Sequence, residues 1–92
     1  MSRYVVIIKK LAQENLKTLS INEPKAYQKA LQLIAELYDH PRTGRGKPEP
    51  LKGGSDTLWS RRISKKHRLV YEICDKEVIV YVLMAYGHYG DK

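Results

Sequence analysis

The sequence predicts a single α+β domain of 92 residues, built from one strand, two helices and a meander of three further strands. Three observations support this fold class. A β-branched run occupies residues 4–8, a helical stripe of apolar residues follows Pro24, and three strand-like segments follow the Gly53-Gly54 pair. We therefore expect one domain over residues 1–92, with the element order β-α-α-β-β-β.

Local patterns define the first three elements. Residues 4–8 predict a strand because Val and Ile favour extended backbone, and residues 9–19 predict a helix from leucines at partial helical spacing. The second helix has Asn22 at its expected cap, Pro24 in its first turn and Pro41 beyond its end. Its predicted apolar stripe consists of Tyr27, Ala30, Leu31, Ile34, Ala35 and Leu37.

The second half of the chain begins with a loop. Prolines and glycines punctuate residues 41–50, and residues 58–64, 67–74 and 78–86 then read as strands. The last of these is apolar on both faces, which predicts an inner position in the sheet.

Side-chain alternation selects the register of the hairpin over residues 58–74. A two-residue turn at 65–66 would oppose Arg62 to Leu69 and mix polar with apolar side chains on both faces. We prefer the register that aligns Arg62 with Arg68, in which Arg61 reaches solvent from the sheet edge. Two aligned guanidinium groups repel each other, so an anion between them would stabilise this arrangement. The apolar face then holds Trp59, Ile63, Leu69, Tyr71 and Ile73.

The same alternation predicts where the chain end lies. A turn at residues 75–77 would place Arg68 opposite Met84, and His88 four residues further, about 13 Å along an ideal strand. The tail must therefore curl for His88 to reach Arg68, and Gly87 would permit that curl.

All of the formal +7 charge arises in residues 42–68, because Lys/Arg and Asp/Glu balance in the rest of the chain. This segment contains only Glu49 and Asp56 as acidic residues. Such a concentration of cations predicts a polyanionic partner, and counterion release from phosphates makes nucleic acid the leading candidate. The basic residues are Arg42, Arg45, Lys47, Lys52, Arg61, Arg62, Lys65, Lys66 and Arg68.

Composition excludes several other classes of protein. A hydrophobic share of 42% with 29% charged residues indicates a compact fold and not a disordered basic tail. Cys74 is the single cysteine, which excludes an internal disulfide and fits a reducing compartment. The start lacks a signal-peptide pattern, and the apolar run at 78–86 is far shorter than a membrane helix requires. We expect a cytoplasmic protein that does not span a membrane.

The residue types in and after the basic segment fit cleavage of RNA at the ribose 2′-hydroxyl. That reaction needs a base for the hydroxyl proton, cations for the charge that develops on phosphorus, and an acid for the departing 5′-oxygen. Glu49, the arginines and His88 supply these groups. The histidines do not stand at metal-ligand spacing and acidic pairs are lacking nearby, so we expect no metal ion or other cofactor.

Each of these residues also has a structural interpretation. Glu49 could simply neutralise Lys47 and Lys52 in a loop that prolines stiffen, because weak surface ion pairs are common. His88 could be a solvated side chain. Trp59 and Tyr71 fit the apolar core better than base stacking.

Four segments resemble, in matching order and spacing, the YoeB/Txe toxins of the RelE/ParE superfamily of bacterial toxin–antitoxin systems. They are GRGKPEPLK at 44–52, LWSRRI at 58–63, HRLVY at 67–71 and the His88-Tyr89 pair. The resemblance implies two helices packed on a twisted antiparallel sheet. It also implies a metal-independent messenger-RNA endoribonuclease that cuts in the ribosomal A site and inhibits translation.

The resemblance assigns a role to individual residues. Glu49 would be the general base, His88 the general acid and Arg68 the main cation for the transition state. The residues implied to bind substrate or phosphate are Lys47, Lys52, Arg62 and Tyr89. Those implied to contact the ribosome are Arg45, Lys65 and Lys66.

The resemblance also implies partners. An acidic, YefM-like antitoxin would neutralise the toxin, toxins would pair as homodimers, and operator DNA would be bound through the antitoxin complex. Two alternatives stay open. One is a ParE-like inhibitor toxin without nuclease activity, and the other is a basic nucleic-acid-binding module without catalysis.

Overall fold

A computed structural model describes residues 3–51 and 57–87 of the chain. Within these residues, helices and strands follow the predicted order with one additional strand. The elements are β1 (Val5–Ile8), α1 (Lys10–Asn22), α2 (Pro24–Leu37), β2 (Glu49–Pro50), β3 (Leu58–Arg62), β4 (Arg68–Cys74) and β5 (Ile79–Met84).

The strands form one sheet in the order β1-β5-β4-β3-β2. The α+β class is confirmed, but the sheet is mixed and not wholly antiparallel, because β1 pairs in parallel with β5. The chain leaves β1 through two helices and returns to the same sheet only at the end of the meander, so β5 lies beside β1 in the same direction. β5 therefore has neighbours on both sides, as its apolar faces predicted. The element order missed β2, a two-residue edge strand that ends at a proline.

Both helices pack on one face of the sheet. α1 extends beyond the predicted residue 19 to Asn22, so Asn22 ends α1 and Glu23 precedes α2, whose first residue is Pro24. The predicted stripe of α2 was off by about one position, since Leu31 is 38% exposed while Leu33 is fully buried. In the described part of the chain, neither helix combines the length and the apolar character needed to cross a membrane. The buried residues of α2 are Ala26, Ala30, Leu33, Ile34 and Leu37.

The preferred hairpin register is confirmed. Trp59 pairs with Tyr71 and Arg62 pairs with Arg68 across β3 and β4. Alternation then directs one set of side chains to the helices and the other set to the face that the helices do not cover, which we call the open face. The helix-facing set on β3, β4 and the turn between them includes Trp59, Arg61, Ile63, Leu69, Tyr71 and Ile73.

The prediction that Arg61 reaches solvent from the sheet edge was wrong. Its side chain is fully buried. The register places it between Trp59 and Ile63 on the face that packs against the helices, so its guanidinium meets the loop after α2 and not solvent.

The prediction that Arg68 lies opposite Met84 was also wrong. The turn after β4 contains four residues, 75–78, and an irregularity between Val70 and Tyr71 shifts the β4–β5 register further. Met84 pairs with Val70, and the backbone N–H of Arg68 donates to the carbonyl of Gly87 at 2.9 Å. The register shift therefore brings the chain at Gly87 next to Arg68.

Candidate active site

Glu49 and Arg68 meet on the open face of the sheet. β2 pairs with β3 so that Glu49 lies opposite Ser60, and Arg68 begins the next strand. The carboxylate Oε2 of Glu49 lies 3.4 Å from Nη1 of Arg68. The Glu49 side chain is 56% exposed, so its carboxylate is accessible to a bound substrate.

Ser60 supports the guanidinium of Arg68 from below. Ser60 is fully buried, and its hydroxyl oxygen accepts a hydrogen bond of 3.2 Å from Arg68 Nη1. Both contacts of Arg68 within the described residues use Nη1. A guanidinium also carries N–H donors on Nη2 and Nε, and such a fork can bind a phosphate. Sequence reasoning did not single out Ser60. The available signal was its alternation with Arg62, which places both side chains on the same face of β3.

Arg62 extends this positive surface. It is exposed, stands opposite Arg68, and its backbone N–H donates to the Gly46 carbonyl at 2.6 Å. A depression of about 280 Å³ lies beside it, and the lining described by the structure contains no carboxylate. That lining consists of Lys29, Gly46, Lys47, Arg62, Ile63, Ser64 and Lys65.

Lys29 was not predicted as part of this surface. It comes from α2, far from the basic segment in sequence, and nothing in its local pattern points to the loop or the hairpin. Because it faces the same depression as Lys47 and Arg62, it adds one more cation to this positive surface.

The loop that leads to Glu49 turns through left-handed backbone. Lys47 has φ of 51° and Gly46 has φ of 80°. A Cβ at position 46 would lie only 3.0 Å from the carbonyl oxygen of Arg62. Glycine at this position therefore allows the loop to approach β3, and the proline on each side of Glu49 then stiffens the segment that carries the carboxylate.

Arg61 holds the same loop from inside. Nη1 lies 2.8 Å from the Glu36 carboxylate, and Nε donates to the Tyr71 hydroxyl at 3.1 Å. That hydroxyl in turn donates to the carbonyl of Pro41 at 2.7 Å. The guanidinium also donates to the loop carbonyls of His40, Thr43 and Arg45. One buried side chain thus provides hydrogen-bond donors for three backbone carbonyls of the loop before Glu49.

The two partners of Arg61 have shifted pKa values in opposite directions. Burial alone would raise the pKa of Glu36, but the N–H of Arg45 and the Arg61 guanidinium bond its ionised form and lower the pKa. Burial raises the pKa of the Tyr71 hydroxyl, against the opposing effect of Arg61. At neutral pH the network therefore contains an ionised carboxylate and a neutral phenol, which suits the pattern of donors and acceptors.

Of the remaining predicted site residues, the structure describes three and leaves three outside the described ranges. Lys65 and Lys66 are exposed at the tip of the β3–β4 hairpin. Arg45 is exposed, and its Nε lies 3.7 Å from the Glu36 carboxylate. Lys52, His88 and Tyr89 lie outside the described residues. Their predicted roles stay predictions.

No group of three or more His, Cys, Asp and Glu side chains suited to a metal ion occurs in residues 3–51 and 57–87. The described residues that meet at the site offer acid–base and electrostatic chemistry. It combines an accessible carboxylate, a supported guanidinium and a surrounding cationic surface.

Comparison with known proteins adds independent evidence. Residues 9–89 match the model of the YoeB-like toxin of bacterial type II toxin–antitoxin systems. The chain is 46% identical over 65 residues to Toxin YoeB of Mycobacterium bovis, which covers 71% of this chain and 74% of that protein.

Solved structures show the same fold. The YoeB dimer from Staphylococcus aureus matches with a TM-score of 0.80 and 30% identity, covering 96% of this chain and all of that one. The heterotetrameric YoeB–YefM toxin–antitoxin complex from the same organism matches with a TM-score of 0.76, at the same identity and coverage.

Proposed function

The chain belongs to the YoeB-like toxins of bacterial type II toxin–antitoxin systems, and on that premise we propose that it is a ribosome-dependent, metal-independent endoribonuclease that cleaves messenger RNA and so inhibits translation. The observation that carries the proposal is the approach of the Glu49 carboxylate to the Arg68 guanidinium on the open face of the sheet.

The proposed reaction is an attack by the ribose 2′-hydroxyl on the adjacent phosphorus. Glu49 accepts the hydroxyl proton as the new bond from O2′ to phosphorus forms. The bond from phosphorus to the 5′-oxygen breaks, and His88 donates a proton to that leaving oxygen. The products are a 2′,3′-cyclic phosphate and a free 5′-hydroxyl. An imidazole with an unperturbed pKa near 6.5 suits an acid at neutral pH.

Arg68 has the electrostatic role. Negative charge builds up on the non-bridging oxygens as the five-coordinate phosphorus forms, and a fixed guanidinium stabilises that charge more than it stabilises the substrate. The bond to the buried Ser60 hydroxyl supports this role because it holds the guanidinium in place before the substrate arrives.

The cationic surface around Arg62 fits the neighbouring phosphates. Lys47 and Arg62 line the depression beside the site, and we assign them, with Lys52, to phosphate contacts. We assign Tyr89 to stacking on or orienting a base. We propose that the exposed Lys65 and Lys66 at the hairpin tip, and the exposed Arg45 of the loop after α2, contact ribosomal RNA.

The test is cleavage of a messenger RNA undergoing translation, with ribosome binding measured in parallel by co-sedimentation. Glu49→Gln keeps the size of the side chain and removes the base, so cleavage should fall by about 10²- to 10⁴-fold while ribosome binding is retained. Arg68→Ala should cost about 10²- to 10³-fold. Glu14→Gln, at an exposed position on α1, is the matched control and should cleave as the wild type does.

Two results would overturn the proposal. Undiminished cleavage by Glu49→Gln would remove Glu49 from the role of base. An inactive wild type that still binds ribosomes or nucleic acid would favour the ParE-like or non-catalytic alternatives. A message with 2′-deoxyribose at the cut site should resist cleavage, because the attacking hydroxyl is then missing.

The proposed partners follow from the family and the charge. An acidic, YefM-like antitoxin would cover the basic surface, and pairs of toxins would assemble in the complex, with operator DNA bound through the antitoxin. Messenger RNA in the ribosomal A site is the proposed substrate. Because that substrate occurs in the cytoplasm, we place the active toxin there.

A further inference from the structure

His67 is a buried titratable residue that the proposed reaction does not use. It precedes β4 directly, is 3% exposed and has a partner at each ring nitrogen. Nε2 lies 2.7 Å from the Glu23 carboxylate, and Nδ1 accepts a hydrogen bond of 2.9 Å from the backbone N–H of Gly87. The residue therefore links the junction between α1 and α2 to the end of the described chain.

The hydrogen bond from Gly87 determines the tautomer of His67. A backbone N–H can only donate, so Nδ1 carries no proton and the neutral ring carries its proton on Nε2. That proton is then donated to the Glu23 carboxylate, which favours this tautomer over the other. In agreement, the hydrogen bond to His67 is the main cause of a lowered pKa of Glu23.

Both backbone polar groups of Gly87 form hydrogen bonds. Its N–H is bound by His67, and its carbonyl accepts the backbone N–H of Arg68 at 2.9 Å. The ring of Tyr86 packs against the His67 ring with centroids 4.4 Å apart. Gly87 has φ of 74°, a left-handed backbone conformation that glycine adopts at little cost.

We propose that Glu23 and His67 form a positioning pair that fixes Gly87, the residue before the proposed general acid, beside Arg68. The proposal rests on the proposed function, in which residue 88 is the general acid. Neither Glu23 nor His67 contacts the substrate. Their effect is on the fraction of molecules in which the acid is available to the leaving oxygen.

Two amide substitutions test the hydrogen bonds of the two ring nitrogens of His67 separately. The side-chain oxygen of Asn can replace Nδ1, so His67→Asn keeps an acceptor for the Gly87 N–H. The longer Gln places its amide near the position of Nε2, so His67→Gln keeps a partner for Glu23 and loses the acceptor for Gly87. His40→Gln, at an exposed histidine, is the matched control.

The measurement is the single-turnover rate of messenger-RNA cleavage over a series of ribosome concentrations. His67→Gln should lower the saturating rate about tenfold, the change expected from one hydrogen bond, with a half-saturating concentration like that of the wild type. His67→Asn should restore most of that rate, and His40→Gln should not change it. A purely structural role would lower the activity of both His67 variants in proportion to the folded fraction.

Amide exchange gives a readout that does not depend on activity. The Gly87 amide should exchange slowly in the wild type and in His67→Asn, and about tenfold faster in His67→Gln. If His67→Gln does not fold, Glu23→Ala takes its place, because that change leaves the ring present and removes the acceptor of its Nε2 proton, which favours the tautomer that accepts from Gly87. It too should speed exchange at Gly87 and slow cleavage.

Each remaining outcome decides against the proposal or its premise. Equal cleavage by His67→Gln and the wild type, together with a loss of cleavage in His88→Ala, would overturn the positioning role and leave the proposed function intact. Equal rates in His67→Asn and His67→Gln would also overturn it. A wild type that does not cleave would remove the proposed function, and this inference with it.

Discussion

Replacement of Arg61 by alanine should be the most destabilising single change among the basic residues of the described chain. Counted over residues 3–51 and 57–87, its fully buried guanidinium donates five hydrogen bonds. At about 1 kcal/mol net for each bond, their loss would cost about 5 kcal/mol. Glu36 is partly exposed, and water can reach some of the loop carbonyls after the change, so we expect about 3–4 kcal/mol. This agrees with the cost of breaking a buried ion pair.

That cost is large relative to the whole domain. A chain of 92 residues has a free energy of unfolding of about 5–14 kcal/mol. Arg61→Ala should therefore still fold, but it should unfold at a much lower urea concentration than the wild type. Arg61→Lys should lose about 2 kcal/mol, because one ammonium group cannot reach Glu36, the Tyr71 hydroxyl and the loop carbonyls together.

The assay is urea unfolding followed by the fluorescence of Trp59, the single tryptophan, with circular dichroism as a second probe. The matched control is Arg62→Ala, the neighbouring exposed arginine, which should change the free energy of unfolding by less than about 0.5 kcal/mol. A loss below about 1 kcal/mol for Arg61→Ala, or equal losses for both variants, would refute the reasoning.

Three further predictions concern acid stability, the loop and RNA binding. Hydrogen bonding by Arg42 lowers the pKa of Asp75 below its ordinary value of 3.8. As the pH falls, the unfolded state therefore binds the proton before the folded state does, and the stability that ionised Asp75 gives to the folded state is lost as the pH falls through the lowered pKa. The stability advantage of the wild type over Asp75→Asn in urea should accordingly shrink as the pH decreases below 3.8, and a constant advantage would contradict this. Gly46→Ala should lower the free energy of unfolding by about 1–3 kcal/mol through strained backbone, and an unchanged urea midpoint would show that the loop can relax. Lys29→Gln should make the slope of log RNA affinity against log salt concentration shallower by about one unit, because one phosphate contact is lost. Lys17→Gln on α1 is the control and should leave the slope unchanged. Equal slopes for the two variants would show that Lys29 does not contact phosphate.

Much of the site was predictable because its signals are local. Alternation along two adjacent strands determined the register that pairs Arg62 with Arg68, since a one-residue shift would have exposed the apolar face. The position of Glu49 between prolines indicated a stiff loop. The approach of Glu49 to Arg68 was part of the hypothesis, and the pairing of β2 with β3 produces it.

The buried arginine shows where local reasoning failed. Arg61 alternates with Trp59 and Ile63, which was the available signal that it faces the helices. We assigned it to solvent because a buried charge requires partners, and those partners are a carboxylate and carbonyls 16 to 25 residues away in the sequence. Spacing along a strand carries no information about such distant groups.

The sequence by itself determined the fold class, the hairpin register and the concentration of positive charge in residues 42–68, because side-chain periodicity and charge are properties of short segments. Only the tertiary structure decided the parallel pairing of β1 with β5, the shifted β4–β5 register and the link from Glu23 through His67 to Gly87. These features depend on contacts between residues far apart in the chain. Their free energy comes from packing and hydrogen bonds that form only once the helices lie on the sheet.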